Sequence, residues 1–161
     1  MIVAQRLRTV CVVLGLSLLM VGCAIRGGDS PDPIAERLES LVVEDGVISH
    51  EVTDENVARL WQESEIFRRN GDLANARGRL QQAIVITPED AVLWSRAAEI
   101  ELTREEHLRA ENYAAKSNFL AAVGNRPLRY RNWLIIQRAR EGRGDLLGAR
   151  EAAIESTKLD Q

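Results

Sequence analysis

The feature that most constrains the fold of this chain is an internal repeat, which runs from about residue 54 to residue 161. Shifting the sequence by 34 residues, and then by a further 39, brings apolar, turn-forming and small residues to equivalent places. The first set is Leu60, Gly71, Ala76, Leu80, Ala83 and Pro88; the second is Trp94, Glu105, Ala110, Ala114, Ser117 and Ala122; the third is Trp133, Gly144, Ala149, Ala153, Ser156 and Gln161. A repeat of this length is one supersecondary unit that buries its apolar face only against its neighbours, so we expect a stack of three units.

Each unit has the composition of a helical hairpin. A large apolar residue is followed by a helix break and then by small residues about one helical turn apart, and the break at residues 70–72 recurs at residues 143–145. Small residues on the second helix of a hairpin allow it to pack closely against the first helix and the following unit. The pattern resembles the tetratricopeptide repeat (TPR), and the resemblance implies an all-α, TPR-like solenoid of about three αα-hairpins.

The same pattern predicts six repeat helices. They are expected at residues 54–70, 73–86, 89–103, 106–122, 128–142 and 145–159. We expect Thr87 to cap the third helix ahead of Pro88, and Arg126 and Pro127 to belong to a longer loop before the fifth. Glu105 stands where the other two units have a turn glycine. A helical bundle without superhelical curvature is the alternative fold.

The N-terminal 23 residues have the pattern of a bacterial lipoprotein signal peptide. Two arginines precede an apolar run from Val10 to Val21, which is too short to span a bilayer. The run leads into Gly-Cys and resembles a lipobox, which implies that lipid is attached to Cys23 and that residues 1–22 are then cleaved off. Because Ala24 rather than an aspartate follows the cysteine, the resemblance favours the outer membrane, facing the periplasm. A secreted protein without lipid, or an uncleaved anchor, is the alternative.

The residues between the lipid site and the repeat divide into two parts. A stretch rich in Gly, Pro and Asp follows the cysteine and predicts a flexible tether. An amphipathic pattern then places Ile34, Leu38, Leu41 and Val42 at helical spacing. The predicted organisation is a signal peptide at 1–22, the lipidated cysteine and tether at 23–33, a short capping helix and loop at 34–53, and the repeat domain at 54–161.

Charge and cysteine content exclude several classes of function. The chain has 21 basic and 24 acidic residues, and a mature chain that begins at Cys23 would keep 19 basic and 24 acidic residues. A general nucleic-acid-binding protein needs a basic surface, so no nucleic-acid partner is predicted. Cys11 would leave with the signal peptide and Cys23 would carry lipid, so the mature chain would have no disulfide and no thiolate metal ligand.

Catalytic motifs are absent from the sequence. It has no nucleophile elbow, phosphate-binding loop or dinucleotide fingerprint, and its two histidines are far apart in the chain. His50 is predicted in a loop and His107 at the solvent-facing start of a polar helix. We therefore predict that the protein is not an enzyme and has neither a cofactor nor a metal. An enzyme or small-ligand binder whose site is built from dispersed carboxylates is the alternative.

The resemblance to tetratricopeptide domains also implies a site, since the first helices of the hairpins line a groove that holds a peptide or partner helix. Carried onto this chain, the groove residues are Trp61, Glu65, Arg68, Arg69, Ser95, Glu99, Leu102, Arg131, Leu134 and Arg138. We expect the arginines to bind an acidic segment or C-terminal carboxylate of a protein partner, because guanidinium groups bind carboxylates through paired hydrogen bonds. The alternative is that these arginines pair with Glu65 and Glu99 across the groove.

The combined resemblances imply a lipid-anchored periplasmic adaptor or scaffold for protein–protein interaction in envelope assembly. Such proteins act as pilotins for secretins, as parts of outer-membrane assembly machines, or as regulators of cell-wall enzymes. A homodimer through the C-terminal end of the stack is a further expectation, because no polar covering helix follows the last predicted helix.

Overall fold

The computed structural model describes His50 and residues 52–160, and that part of the chain is all-helical, without strands. Its helices are α1 (Glu55–Arg69), α2 (Leu73–Ile86), α3 (Ala91–Thr103), α4 (His107–Leu120), α5 (Arg126–Gly142) and α6 (Leu146–Thr157). The six predicted helices and the TPR-like fold class are therefore confirmed. The predicted signal peptide, lipid site, tether and capping helix lie outside the described residues.

The helices pack as consecutive hairpins in two layers. α1 packs on α2, α3 on α4 and α5 on α6, and each hairpin also contacts the first helix of the next one. α3 contacts α5 as well, so that α1, α3 and α5 form one layer and α2, α4 and α6 the other. Among the described residues, no helix is long and apolar enough to cross a membrane.

Small residues lie at the helix contacts, as the repeat pattern predicts. The buried alanines of the second helices are Ala76, Ala83, Ala110, Ala114, Ala149 and Ala152. In α6 the fully buried residue is Ala152, whereas Ala153, which the alignment selects, is only partly buried. The apolar core has one cluster around α1, α2 and α3 and a second around α4, α5 and α6.

Two buried hydroxyl groups join helices through backbone carbonyls. Ser64 Oγ on α1 donates to the Ala76 carbonyl of α2 at 2.9 Å, and Ser117 Oγ on α4 donates to the Ala91 carbonyl of α3 at 2.7 Å. Asn132 Nδ2 on α5 donates to Ser117 Oγ at 2.8 Å, which links the second hairpin to the third. A buried hydroxyl needs such a partner to offset its loss of water.

The turns inside the three hairpins share one backbone geometry. Gly71, Glu105 and Gly144 have φ values of 77°, 60° and 75°, respectively. In each turn the next residue donates its backbone N–H to the carbonyl five residues earlier, and all three distances are 2.9 Å. This left-handed position suits glycine, so Glu105 adopts it at a conformational cost.

The starts of α3 and α5 differ from the prediction. Thr87 does not cap α3: its backbone N–H and its Oγ1 both donate to the Ala83 carbonyl at the end of α2, and Asp90 caps α3 by accepting the N–H groups of Val92 and Leu93. Arg126 and the proline after it belong to α5 rather than to a loop. Proline is well suited to a first helical turn, where its missing N–H leaves no hydrogen bond unmade.

A candidate partner-binding face on a buried ion-pair ladder

The predicted groove residues lie on the layer formed by α1, α3 and α5, and we call their side of that layer the candidate face. Glu65, Ser95, Glu99, Arg131 and Leu134 are buried, Trp61, Arg68 and Leu102 are partly buried, and Arg69 and Arg138 are exposed. Leu134 belongs to the apolar core and Leu102 packs against it. The face therefore has a buried interior and an exposed basic edge.

Glu99 on α3 is at the centre of the buried interior. Its carboxylate accepts hydrogen bonds from Arg96 on the same helix and from Arg131 on α5, and its Oε1 lies 3.8 Å from Nη1 of Arg68 on α1. Arg96 and Arg131 have 1% and 0% of their surface exposed, so these are ion pairs in the protein interior. One carboxylate thus connects all three repeats.

Glu65 on α1 extends this network to a second carboxylate. Its Oε1 lies 2.9 Å from Nε of Arg96, and its Oε2 lies 3.3 Å from Nη2 of Arg68. We call the five residues Glu65, Arg68, Arg96, Glu99 and Arg131 the ion-pair ladder. Among the described residues, the ladder thus joins three guanidinium groups to two carboxylates.

The charges of the ladder depend on one another. Burial alone would raise the pKa of Glu99, but the nearby guanidinium groups of Arg131, Arg96 and Arg68 outweigh burial and hold the pKa below its ordinary value. Burial lowers the pKa of Arg131 from its usual value, and the Glu99 carboxylate opposes that change. Removing either member of this pair would leave a charge uncompensated in a medium of low polarity.

The groove arginines form two groups. Arg68 and Arg131 pair with Glu65 and Glu99, as the alternative hypothesis predicts, whereas Arg138 at the exposed edge lies 3.3 Å from Glu141 of its own helix. The arginines of the ladder connect the helices of the face through ion pairs, and the exposed arginines beside the ladder are accessible to a partner.

Arg96 is the member of the ladder that sequence reasoning missed. It aligns with Gln62 in the first repeat and Ile135 in the third, so the repeat pattern does not mark it. A usable signal was the spacing of three residues between Arg96 and Glu99, which places opposite charges on one helix face.

His50 packs against the edge of the candidate face, a contact that its loop position did not predict. Its side chain is 3% exposed, its Nε2 hydrogen-bonds the carboxylate of Asp90, and its ring centroid lies 4.9 Å from that of Trp61. The guanidinium of Arg96 lies 5.6 Å from the Trp61 ring centroid on the ladder side. Burial tends to raise the pKa of Asp90, but the His50 contact and two backbone N–H groups lower it overall.

His107 is not the solvent-facing residue that the sequence predicted. It is only partly exposed, and its ring lies so close to Gly142 that a side chain at that glycine would collide with it. A glycine at the end of α5 makes room for the first residue of α4.

A second ion-pair network surrounds Glu101, on the side of α3 that meets α2 and α4. Glu101 is buried, and its Oε1 lies 2.6 Å from Nε of Arg77 and 3.8 Å from Nη1 of Arg109, while its Oε2 accepts from Arg104 at 2.9 Å. These pairs join the first and second hairpins from the other layer. In the part of the chain that the structure describes, no group of three potential metal ligands occurs.

Comparison with known proteins gives a match to a solved structure. No protein-family model and no curated protein matches the chain. Its structure is similar to the globular C-terminal domain of P. aeruginosa LpoP, with a TM-score of 0.61, 27% sequence identity, and coverage of 66% of this chain and 99% of that one. The chain therefore contains a helical-repeat fold of the kind found in that domain.

Proposed function

We propose that this protein is a lipid-anchored component of the bacterial envelope whose helical-repeat domain binds and regulates a cell-wall enzyme. The observation that carries the proposal is the candidate face, where a rigid interior is bordered by exposed arginines. The likeness to the LpoP domain supports a protein-interaction role in the envelope. Of the envelope roles implied by the sequence, regulation of a cell-wall enzyme is the one that we favour on the basis of this likeness.

The candidate face has the physical properties of a recognition surface. The ladder fixes the positions of α1, α3 and α5 relative to one another through buried ion pairs, so the face does not need to be ordered when a partner binds. Trp61 beside Arg96, with Arg69 and Arg138 at the edge, matches the composition of residues that dominate binding energies in interfaces. An acidic segment or a C-terminal carboxylate of the partner is the complementary ligand.

The proposed anchor complements this role. Lipid on Cys23 would hold the protein at the outer membrane, and residues 24–33 would separate the repeat domain from the lipid surface. A regulator held in this way reaches enzymes that work in the periplasm, because a chain of ten flexible residues has a mean span of about 17 Å and a maximum reach about twice as long.

Site-specific photocrosslinking in the native envelope tests the proposal. A photoreactive amino acid replaces Arg69 or Arg138 on the candidate face, and Arg150, which is exposed on α6, is the matched control. We expect a peptidoglycan-synthesising enzyme to crosslink to positions 69 and 138 and not to position 150. Equal capture from all three positions would contradict the proposed face.

The identity of the captured protein separates the envelope roles. A secretin would identify a pilotin, and an outer-membrane assembly component would identify a scaffold of that machine; either result would overturn regulation of a cell-wall enzyme. Reconstitution then measures whether the purified lipoprotein changes the rate of the captured enzyme. Binding without any change in rate would leave an adaptor and exclude a regulator.

A further inference from the structure

We infer that the acidic segment at residues 34–45 of this chain docks on the candidate face and occupies it until a partner displaces it. The inference deepens the proposed function, because it concerns the same face, but its test needs no partner. The segment lies outside the described residues. Three features favour this position: the point where the segment joins the described chain, its charge and its apolar pattern.

The described chain fixes the point to which the C-terminal end of this segment is joined. His50 is buried against Trp61 and Asp90 at the edge of the candidate face, and Val52 packs against the first apolar cluster. The segment is therefore joined to the domain at a point beside Trp61. Five residues, from Asp45 to His50, extend at most about 17 Å, and adjacent packed helices are about 8–10 Å apart. The segment can thus reach across α3 from this point.

Charge favours the candidate face as the place where the segment docks. Four acidic residues, Glu36, Glu39, Glu44 and Asp45, accompany a single arginine in the segment. The exposed Arg69 and Arg138 lie on α1 and α5, the two helices that the ladder joins to α3. Opposite charges that are joined by a short chain attract each other at high effective concentration.

The apolar pattern of the segment matches the same face. As a helix, it would place Leu38, Leu41 and Val42 on one side, with Glu39 and Glu44 on the two flanks of that side. α3 carries the partly buried Leu102 about one turn after Glu99, the residue that contacts the arginines of α1 and α5. A helix seated on α3 would bury its leucines there and direct its flanking carboxylates towards Arg68 and Arg138.

An occupied face has a functional consequence. A partner's acidic segment must compete with an attached segment whose effective concentration is in the millimolar range, so only a partner with additional contacts binds well. The segment is therefore an autoinhibitory contact that raises the threshold for binding.

Zero-length carbodiimide crosslinking of the full-length lipoprotein tests the docking. The chain has only two lysines, Lys116 on α4 and Lys158 after α6, so Arg138→Lys introduces an amine on the candidate face while keeping its charge. We expect an amide crosslink from position 138 to Glu36, Glu39, Glu44 or Asp45, identified by mass spectrometry. Arg150→Lys, on the exposed side of α6, is the control and is expected to give no such crosslink.

Two results of this experiment would overturn the inference. One is a crosslink from position 138 to Glu141 alone, and the other is equal labelling of the acidic segment from position 150. Mixing heavy-isotope and light chains before crosslinking shows whether the bond joins one chain to itself, and mixed-isotope products would assign the contact to a second copy instead.

A binding measurement provides an independent test. The probe is a fluorescent peptide with the sequence of residues 34–45, and the receptor is the full chain, either unaltered or with Glu36, Glu39 and Glu44 changed to Gln. We expect the altered chain to bind the peptide at least about tenfold more tightly, because its own segment competes less. Equal affinities would overturn the inference, whereas a failure to find a cell-wall enzyme would affect the proposed function only.

Discussion

Glu99 on α3 accepts a hydrogen bond from Nη2 of Arg131 on α5, which ties a buried carboxylate of the second repeat to a buried guanidinium of the third. Both groups are shielded from water, and the charge of each compensates the charge of the other. The candidate face therefore depends on ion pairs that are part of the interior rather than on surface contacts.

Replacing this carboxylate is expected to destabilise the whole domain. Glu99→Gln keeps the shape of the side chain but leaves Arg96 and Arg131 uncompensated, and we expect a loss of about 3 kcal/mol in the free energy of unfolding. Urea unfolding followed by circular dichroism measures it. The control is Glu155→Gln, which removes an exposed ion pair with Lys158 and is expected to cost less than about 1 kcal/mol. Equal effects of the two changes would contradict the importance of the ladder.

Stability is expected to fall in acid. The pKa of Glu99 in the folded protein lies below its ordinary value of 4.5, so the stabilisation is complete above pH 4.5 and is lost as the pH falls through the lower, folded-state pKa. The pKa of Asp90 is also lowered, from its ordinary value of 3.8, so the stabilisation that Asp90 provides is likewise lost as the pH falls. Urea midpoints measured between pH 7 and pH 3 should decrease, with a smaller decrease in Glu99→Gln. Parallel curves for the two proteins would mean that Glu99 does not carry the effect.

The turn between α3 and α4 offers a stabilising change. Glu105 has a φ of 60° where the equivalent turns have glycine, so we expect Glu105→Gly to raise the free energy of unfolding by about 1 kcal/mol. Gly71→Ala imposes the opposite change on an equivalent turn and should lower it by a similar amount. Thermal melting of both variants provides the measurement, and a destabilised Glu105→Gly protein would show that its side chain has another role.

Two helical glycines are expected to respond differently to alanine. Nothing lies within 4 Å of a Cβ added at Gly78 on α2, so Gly78→Ala should stabilise the protein by about 1 kcal/mol through helix propensity. A Cβ at Gly148 would collide with the carboxylate of Asp145, which caps α6. Gly148→Ala should therefore lose about 1 kcal/mol of capping energy, which offsets its gain in helix propensity and leaves the stability nearly unchanged. The two unfolding curves, measured side by side, check the difference, and equal stabilisation by both changes would contradict the role of the Asp145 cap.

The lipid site predicts a change in processing. Cys23→Ser removes the sulfur that would carry the lipid, and the lipobox resemblance implies that cleavage follows lipid attachment, so we expect this variant to keep residues 1–22 and to carry no lipid. The intact masses of the unaltered protein and of the variant provide the measurement. A serine variant that begins at residue 23, or that still carries lipid, would contradict lipid anchoring through this residue.

The helices were predictable because their small and apolar residues recur along the chain, and recurrence identifies the faces that must be buried. Helix starts were less predictable. Thr87 and Asp90 are both suitable caps, and the choice depends on the Thr87 hydroxyl, which bonds back to Ala83 and so closes α2. Only the folded structure shows that Thr87 is engaged at the end of α2, which leaves Asp90 to cap α3.

The ion-pair ladder could not be predicted from the repeat. Glu65 and Glu99 occupy equivalent positions, but the equivalent position in the third unit is Arg138, and Arg96 aligns with uncharged residues. Partners in the ladder come from different positions in different units, so a comparison of the units with one another conceals it. Contacts between units, rather than similarity among them, determine the interior of the face.

The unequal contribution of the units to the ladder makes each of them irreplaceable. The first hairpin provides a carboxylate and a guanidinium, the second provides both again in a different arrangement, and the third provides a single guanidinium. An array with one hairpin missing, duplicated or moved would leave a charged side chain in the interior without its partner. The ion pairs therefore require this order of hairpins, and this small stack tolerates the gain or loss of a unit less well than longer arrays do.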